Sequence, residues 1–127
     1  VAIGQIKQQY EPSWIIVEAS GLAKIPSVLD TLEKYGKGFE SVYTIVLADA
    51  ERWEELVEIM PDFMFSQTAA ADLVLVNKID KVSADKLKGI EAKIKDSGSH
   101  SRIMSMSAAK GVPEALLREV CSDESSC

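Results

Sequence analysis

Residues 73 to 80 read Leu73-Val74-Leu75-Val76-Asn77-Lys78-Ile79-Asp80, and this segment gives the clearest indication of the fold class. Four aliphatic residues in succession are typical of a short strand that is buried on both faces. The polar residues that follow mark the point where such a strand would run into a loop. The sequence therefore predicts a buried strand at Leu73–Val76 with a polar loop at its carboxyl end.

Similar apolar runs predict three more strands, at Trp14–Val17, Val42–Leu47 and Arg102–Met106. Apolar residues at helical spacing predict helices within residues 3–10, 25–32, 53–60, 87–94 and 113–120. Pro26 suits the first turn of one helix and Gly36 its end, while Ser83 suits the N-cap of another. Alternation of strands and helices predicts an α/β fold with a mainly parallel sheet and flanking helices.

Length and charge exclude several classes of protein. The chain has 127 residues, enough for one domain, and 14 basic against 20 acidic side chains give a net charge of −6. This acidic balance argues against a nucleic acid or an anionic membrane as the main partner. Two cysteines are too few for a disulfide scaffold, so we expect a reducing, cytoplasmic location. We find neither an apolar run long enough to span a bilayer nor a targeting signal.

The strongest chemical signal follows the strand at Leu73–Val76, where Asn77-Lys78-Ile79-Asp80 has the form Asn-Lys-x-Asp. This pattern reads guanine in GTP-binding proteins, because the carboxylate of Asp80 can accept hydrogen bonds from guanine's ring N–H and exocyclic amine. Adenine lacks that pair of donors. Lys78 would lie against the base and Asn77 would tie the loop to its neighbours. The alternative is a strand that ends in an ordinary polar turn.

A second loop follows the strand predicted at Arg102–Met106. Ser107-Ala108-Ala109-Lys110-Gly111 resembles the Ser-Ala-x-x-Gly base-binding loop of GTPases, in which the N–H of Ala108 would donate to guanine's carbonyl oxygen. The alternative is a plain strand-to-helix loop. Two loops at the carboxyl ends of parallel strands lie where an open sheet binds its ligand. We therefore include Ser107, Ala108 and Ala109 among the predicted nucleotide-binding residues.

The third signal follows the first predicted strand, where an acid stands three residues before a glycine, at Glu18 and Gly21. This is the Walker B form of GTPases. Glu18 would hold Mg²⁺ through water, and Gly21 would let the backbone approach the γ-phosphate, so both are predicted catalytic residues. The alternative is a strand that ends in the turn before a helix.

The sequences of three segments resemble those of one protein family. Glu18-Ala19-Ser20-Gly21-Leu22-Ala23, with Pro26 beyond it, resembles the Glu-x-Ser-Gly-Leu-Ala segment of the CobW-like GTPases, relatives of HypB and UreG. The run from Gln67 to Asp80 is similar to the family's Gln-x-x-x-Ala-Asp run that leads into Asn-Lys-x-Asp. Val46-Leu47-Ala48-Asp49-Ala50 is similar to its Val-Asp-Ala strand.

This resemblance implies a P-loop NTPase-like fold and GTP hydrolysis with Mg²⁺. In the complete protein it implies that hydrolysis is coupled to metal delivery, or to maturation of a metal or corrinoid cofactor enzyme. The metal would be zinc, cobalt or nickel, the partner a metal-dependent client protein or a corrinoid enzyme, and a homodimer is compatible with it.

Two features of the family are missing from the sequence. None of the seven glycines belongs to a Walker A motif, Gly-x-x-x-x-Gly-Lys-Ser/Thr, and no Cys-x-Cys-Cys metal motif is present. We therefore interpret residues 1–127 as a single partial GTPase domain, from Walker B to the base-binding loop, that is inactive alone and ends in a flexible tail at 122–127. A non-catalytic α/β interaction domain and a GTPase of translation or signalling stay open as alternatives.

The absent Walker A strand has a consequence for the sheet. In nucleotide-binding sheets of this class that strand lies beside the Walker B strand, so its absence should leave a gap next to Trp14–Val17. We expect the strands at Val42–Leu47 and Leu73–Val76 to pair with each other. The gap would be filled by sequence outside these 127 residues, by a second copy of the chain, or by direct closure of the strands on one another.

Overall fold

The structure is a computed structural model that describes residues 2–36 and 38–121. Within these ranges the elements are, in order, α1 Ala2–Tyr10, α2 Ile25–Tyr35, β1 Ile45–Asp49, α3 Trp53–Ile59, α4 Pro61–Ala70, β2 Leu73–Asn77, α5 Ala84–Asp96, β3 Arg102–Ser105 and α6 Glu114–Cys121. Single 3₁₀ turns follow β2 at Ile79–Lys81 and β3 at Ala108–Lys110. The flexible tail predicted at 122–127 lies outside the described residues. No described helix has the length and apolar character that crossing a membrane requires.

The described strands form a parallel sheet in the order β1-β2-β3. Ile45 pairs with Leu73 and Asp49 with Asn77 across β1 and β2, and Leu73 pairs with Arg102 across β2 and β3. The predicted α/β fold with a mainly parallel sheet and flanking helices is therefore confirmed. Because all three strands run the same way, their carboxyl ends meet at one edge of the sheet.

Helices cover both faces of the central strand β2, which explains its continuous apolar sequence. Successive side chains of a strand point to opposite faces. Val74 and Val76 belong to a buried cluster that contains residues of α3 and α5. Leu73 and Leu75 belong to a second cluster, which α6 completes with Leu116.

The strand predicted at Trp14–Val17 is wrong, because these residues form no strand in the structure. Trp14 and Val17 are exposed, and Ile16 is 93% exposed. A strand is stabilised by hydrogen bonds to a neighbour and by burial of a face, and this segment has neither among the described residues. The segment does not close directly on another strand, whereas β1 and β2 pair as expected.

The strand predicted at Val42–Leu47 exists but begins later, at Ile45. Hydrogen bonds between Asp72, just before β2, and Thr44 explain why β1 begins at Ile45. Its carboxylate accepts the N–H of Thr44 at 2.7 Å, and its own N–H donates to the Thr44 carbonyl oxygen at 2.9 Å. These bonds anchor the chain beside Thr44, and the regular ladder starts at the next residue.

Three predicted helix boundaries are confirmed. Pro26 lies in the first turn of α2, and Gly36 follows the last residue of that helix. The Ser83 hydroxyl caps α5 by accepting the N–H of Lys86 at 3.1 Å. These ends are local in sequence, and local capping chemistry therefore predicts them well.

Helix α4 was not predicted from the sequence. Its large apolar residues, Phe63 to Phe65, are consecutive and are followed by polar Ser66, Gln67 and Thr68, so the segment shows no helical stripe. Pro61 begins the helix at a position where proline's missing N–H costs nothing. The aromatic ring of Phe65 packs edge to face on Trp53 of α3, with the ring centres 6.3 Å apart. This contact joins α3 and α4 into one layer on the sheet.

Candidate functional site

Three polar segments meet at the carboxyl edge of the sheet. Asp49 ends β1, Asn77 ends β2, and Ser107 follows the end of β3. The N–H of Ala50 donates to the Asn77 carbonyl oxygen at 3.0 Å, and the N–H of Ile79 donates to the Met106 carbonyl oxygen at 3.3 Å. The sheet therefore brings the Asn-Lys-x-Asp and Ser-Ala segments side by side.

The side chain of Asn77 links these two segments directly. Its Oδ1 accepts the backbone N–H of Ala108 at 2.9 Å, across 31 positions of sequence. This is the N–H that we predicted to donate to guanine's carbonyl oxygen, so in this structure Asn77 holds the predicted donor. The bond fixes the distance between the two loops.

Lys78 has a backbone conformation that is uncommon for a residue with a side chain. Its φ of 62° and ψ of 34° lie in the left-handed region and turn the chain from β2 into the 3₁₀ turn Ile79–Lys81. Such conformations cluster at binding sites, where surrounding contacts hold them. The Lys78 Nζ donates to Asp49 Oδ2 at 2.8 Å, so the loop is also tied to the end of β1.

The environment of Asp49 favours its charged form. Burial acts to raise the pKa of its carboxyl, but hydrogen bonds from Lys78 and from the backbone N–H groups of Glu51 and Arg52 outweigh burial and lower the pKa. The hydrogen bond to Asp49 likewise raises the pKa of Lys78. The two groups therefore form an ion pair at neutral pH. Sequence reasoning assigned Asp49 no role, because its partner lies 29 positions away.

Asp80 presents an exposed carboxylate beside the Ser-Ala loop. The neighbouring Ser107 hydroxyl is the main cause of a lowered pKa at Asp80, and nearby Lys81 and Lys110 act in the same direction. The Ser107 hydroxyl is buried, yet it lacks a hydrogen bond of standard geometry to any described residue. Asp80 is therefore ionised at neutral pH and acts only as an acceptor.

Ala109 lies in the exposed 3₁₀ turn Ala108–Lys110, which closes the site on the side of β3. Gly111 follows this turn with a φ of 118°, a conformation that favours glycine. The glycine of the Ser-Ala-x-x-Gly pattern is thus explained locally, by the positive φ at the end of this turn. The contribution of Ala109 to nucleotide binding stays a prediction.

The Glu18–Gly21 segment lies in an exposed loop before α2. Gly21 lines a cavity of about 300 Å³ together with residues 46–49 of β1 and side chains of α3 and α4, so this loop lies beside β1. A Cβ added to Gly21 would meet no atom within 4 Å among the described residues. The described contacts therefore do not require glycine here, and the predicted roles of Glu18 and Gly21 stay predictions.

Gln67 of α4 is the main contact of this loop that the sequence-based roles did not include. Its Oε1 accepts the N–H of Ile25 at 2.8 Å, and its Nε2 donates to the carbonyl oxygen of Ala23 at 3.0 Å. A glutamine in a run of small and apolar residues was the available signal, because a half-buried amide in such a helix needs partners.

The predicted Mg²⁺ site has one candidate ligand, the exposed carboxylate of Glu18. A magnesium ion bound with a nucleotide takes one or two protein carboxylates and completes its shell with phosphate oxygens and water, so a single acid is compatible with it. The described residues hold no cluster of three or more His, Cys, Asp or Glu side chains that could bind a metal ion. The transition metal expected for the complete protein stays a prediction.

Comparison with known proteins identifies the family. The family model for the CobW/HypB/UreG nucleotide-binding domain matches residues 1–105, which include the Glu18 loop and the Asn-Lys-x-Asp segment. No curated protein and no solved structure gives a significant match. Since the family match covers most of the chain, this protein belongs to the CobW/HypB/UreG family through its nucleotide-binding domain.

Proposed function

We propose that this chain supplies the guanine-reading side of a GTP site. The observation that carries the proposal is the hydrogen bond of Asn77 to Ala108, which sets the exposed Asp80 carboxylate beside the Ser-Ala loop. Guanine offers two donors on one edge and a carbonyl acceptor on the next, so it needs an acceptor and a donor held at a fixed separation. Asp80 supplies the acceptor, and the predicted donor is the Ala108 N–H, which Asn77 engages in this structure and which guanine's carbonyl oxygen would take over on binding.

Ionisation of Asp80 supports selectivity for guanine over adenine. A carboxylate with a lowered pKa can accept two hydrogen bonds, from the ring N–H and the exocyclic amine, but it cannot donate one. Adenine would leave this acceptor unpaired on binding, which disfavours adenine relative to guanine. The Lys78 stem would lie against the base while Asp49 holds its ammonium group.

We further propose that the domain hydrolyses GTP when it is combined with a phosphate-binding loop that these 127 residues do not contain. Glu18 would hold Mg²⁺ through water, which neutralises charge on the phosphates during in-line attack. In the complete protein, hydrolysis would drive delivery of a metal ion to a client protein or maturation of a metal or corrinoid enzyme. Family membership supports this coupling.

The experiment is a base-selectivity switch at Asp80 in the full-length protein. Asp80→Asn replaces one acceptor oxygen with an amide that can donate to the extra carbonyl of xanthine. We expect GTP affinity to fall at least tenfold and xanthosine triphosphate affinity to rise, as measured by equilibrium binding of the two labelled nucleotides.

The matched control is Asp85→Asn, which removes another exposed carboxylate nearby in sequence, in the first turn of α5. It should leave both nucleotide affinities unchanged. If Asp80→Asn also leaves both affinities unchanged, Asp80 does not read the base, and the non-catalytic interaction domain becomes the better hypothesis.

A further inference from the structure

The N-terminus of α2 receives its cap from another helix. Backbone N–H groups in the first turn of a helix have no partner within that helix, and a side chain at the N-cap commonly supplies one. Here the N-cap residue is Lys24, which makes no capping hydrogen bond. The N–H of Ile25 donates instead to Gln67 Oε1 of α4, at 2.8 Å.

The same amide also holds Ala23, the residue before the N-cap. Gln67 Nε2 donates to the carbonyl oxygen of Ala23 at 3.0 Å, so both ends of the amide bond backbone groups of one short segment. The donor and the acceptor are thus each matched to one specific backbone group. A side chain of another length or charge would break at least one of these two bonds.

Within residues 2–36 and 38–121, no hydrogen bond other than those of Gln67 joins residues 18–23 to α4 or to the sheet. The N–H of Ala23 donates to the carbonyl oxygen of Ser20, but that bond lies within the loop and cannot anchor it to the sheet. Leu22 is 80% exposed, so burial of its side chain contributes little. The two hydrogen bonds of Gln67 therefore supply the polar connection between this segment and α4, beside the packing of α2 on α4.

Buried residues connect Gln67 to β2, the strand that leads into the Asn-Lys-x-Asp loop. Thr68 next to it is buried, and Ala71 is buried just before β2 begins. Asp72 then bonds Thr44 through both its carboxylate and its N–H. A side chain at this end of α4 thus keeps a constant position relative to Asn77 at the end of β2.

We propose that Gln67 is a positioning residue, which fixes the Glu18–Gly21 turn relative to the base-reading loops through its hydrogen bonds to Ala23 and Ile25. This inference rests on the proposed GTP site, in which Glu18 organises Mg²⁺ and water. Gln67 touches neither the base nor the phosphates in this scheme. Its loss should therefore lower the rate of hydrolysis more than it weakens GTP binding.

The first test measures amide hydrogen exchange by NMR in the full chain, for the wild type, Gln67→Leu and the matched control Gln8→Leu. Gln8 is an exposed glutamine of α1. We expect the Ile25 amide to exchange at least tenfold faster in Gln67→Leu alone, because no other described group accepts its hydrogen bond. The amides of Val74 and Val76 in β2 should exchange at the wild-type rate in all three proteins.

The second test measures steady-state GTP hydrolysis by the same variants of the full-length protein. Gln67→Leu should lower kcat at least tenfold and change KM for GTP less than twofold, whereas Gln8→Leu should change neither. A structural role alone would not separate kcat from KM in this way. If Gln67→Leu does not fold, the isosteric variant Gln67→Glu tests the positioning role instead. This variant keeps an acceptor for the N–H of Ile25 but loses the donor to the carbonyl oxygen of Ala23. Its kcat should also fall.

Unchanged exchange at Ile25 in Gln67→Leu, or faster exchange with unchanged kcat, overturns the positioning role. A wild-type protein that does not hydrolyse GTP overturns the proposed function instead. In that case the exchange rates still decide whether Gln67 holds the turn, so the two failures are distinguishable.

Discussion

Asp49 and Lys78 show how a single pair of residues ties the end of β1 to the Asn-Lys-x-Asp loop. Both oxygens of Asp49 are engaged, because Oδ1 accepts the N–H of Glu51 at 3.0 Å and Oδ2 accepts Lys78 Nζ at 2.8 Å. The pair is partly exposed, so solvent screens its charges. Its main effect is therefore to position the lysine rather than to stabilise the fold.

The pH dependence of stability should report this pair. The folded-state pKa of Asp49 lies below its ordinary value, so its contribution is fully present above the unfolded-state pKa and is lost as pH falls through the folded-state pKa. Lys78→Ala removes one cause of the lowering, and we expect the pKa of Asp49 to rise. Carboxyl ¹³C NMR titration measures the pKa, and urea unfolding below about pH 4 measures the corresponding smaller loss of stability.

The control for this change is Lys88→Ala, which removes an exposed lysine of α5. It should leave the Asp49 titration as it is in the wild type. An Asp49 pKa that is equal in the wild type and in Lys78→Ala would contradict the ion pair and the positioning of Lys78.

Among the elements, α5 shows capping chemistry that the sequence predicts. Ser83→Ala removes the hydroxyl that accepts the N–H of Lys86, and an N-cap of this kind is worth about 0.5–2 kcal/mol. We expect the free energy of unfolding to fall by about 1 kcal/mol in urea titrations followed by circular dichroism. Ser13→Ala, at an exposed serine outside the helices, should leave the midpoint unchanged. Equal midpoints for both variants would show that the cap does not contribute.

The elements that the sequence predicted well are those whose causes are local or repeated. The strand at Leu73–Val76 is apolar on both faces and is covered on both, and the ends of α2 and α5 follow from Pro26, Gly36 and Ser83. The segment Trp14–Val17 has the same composition as a strand. It has no strand beside it among the described residues, and composition alone cannot supply a partner.

The contacts that hold the candidate site together are long-range, and this is why sequence patterns found only half of it. Motif spacing placed Asn77, Asp80 and Ala108 in loops that the structure brings together. The hydrogen bond from Lys78 to Asp49 and those of Gln67 to the loop before α2 join residues 29 to 44 positions apart. No local propensity encodes such pairs, so they became visible only in the folded chain.

At the scale of the whole molecule, the two faces of the sheet are covered unequally. Helices α3, α4 and α5 pack over one face, while α6 packs on the other face mainly at β2. On that second face of β1, Ile45 and Leu47 are exposed, Leu47 by 69%. β1 is also an edge strand among the described residues, so its unpaired backbone groups lie beside exposed apolar side chains.

Such an edge favours association of the 127-residue chain with a second copy of itself. Pairing along β1 would satisfy its backbone groups and bury Leu47, and burying a leucine side chain contributes about 1.5–3 kcal/mol. Leu47→Lys places a charge on this edge, which natural sheets use to prevent such pairing. We expect the wild-type chain to show concentration-dependent association in sedimentation velocity and Leu47→Lys to remain monomeric at the same concentrations.

Val112→Lys, at an exposed loop residue away from β1, is the matched control and should associate as the wild type does. Because both variants add one positive charge to a chain of net charge −6, a decrease in association shared by both would show that overall charge, rather than the β1 edge, governs the interaction.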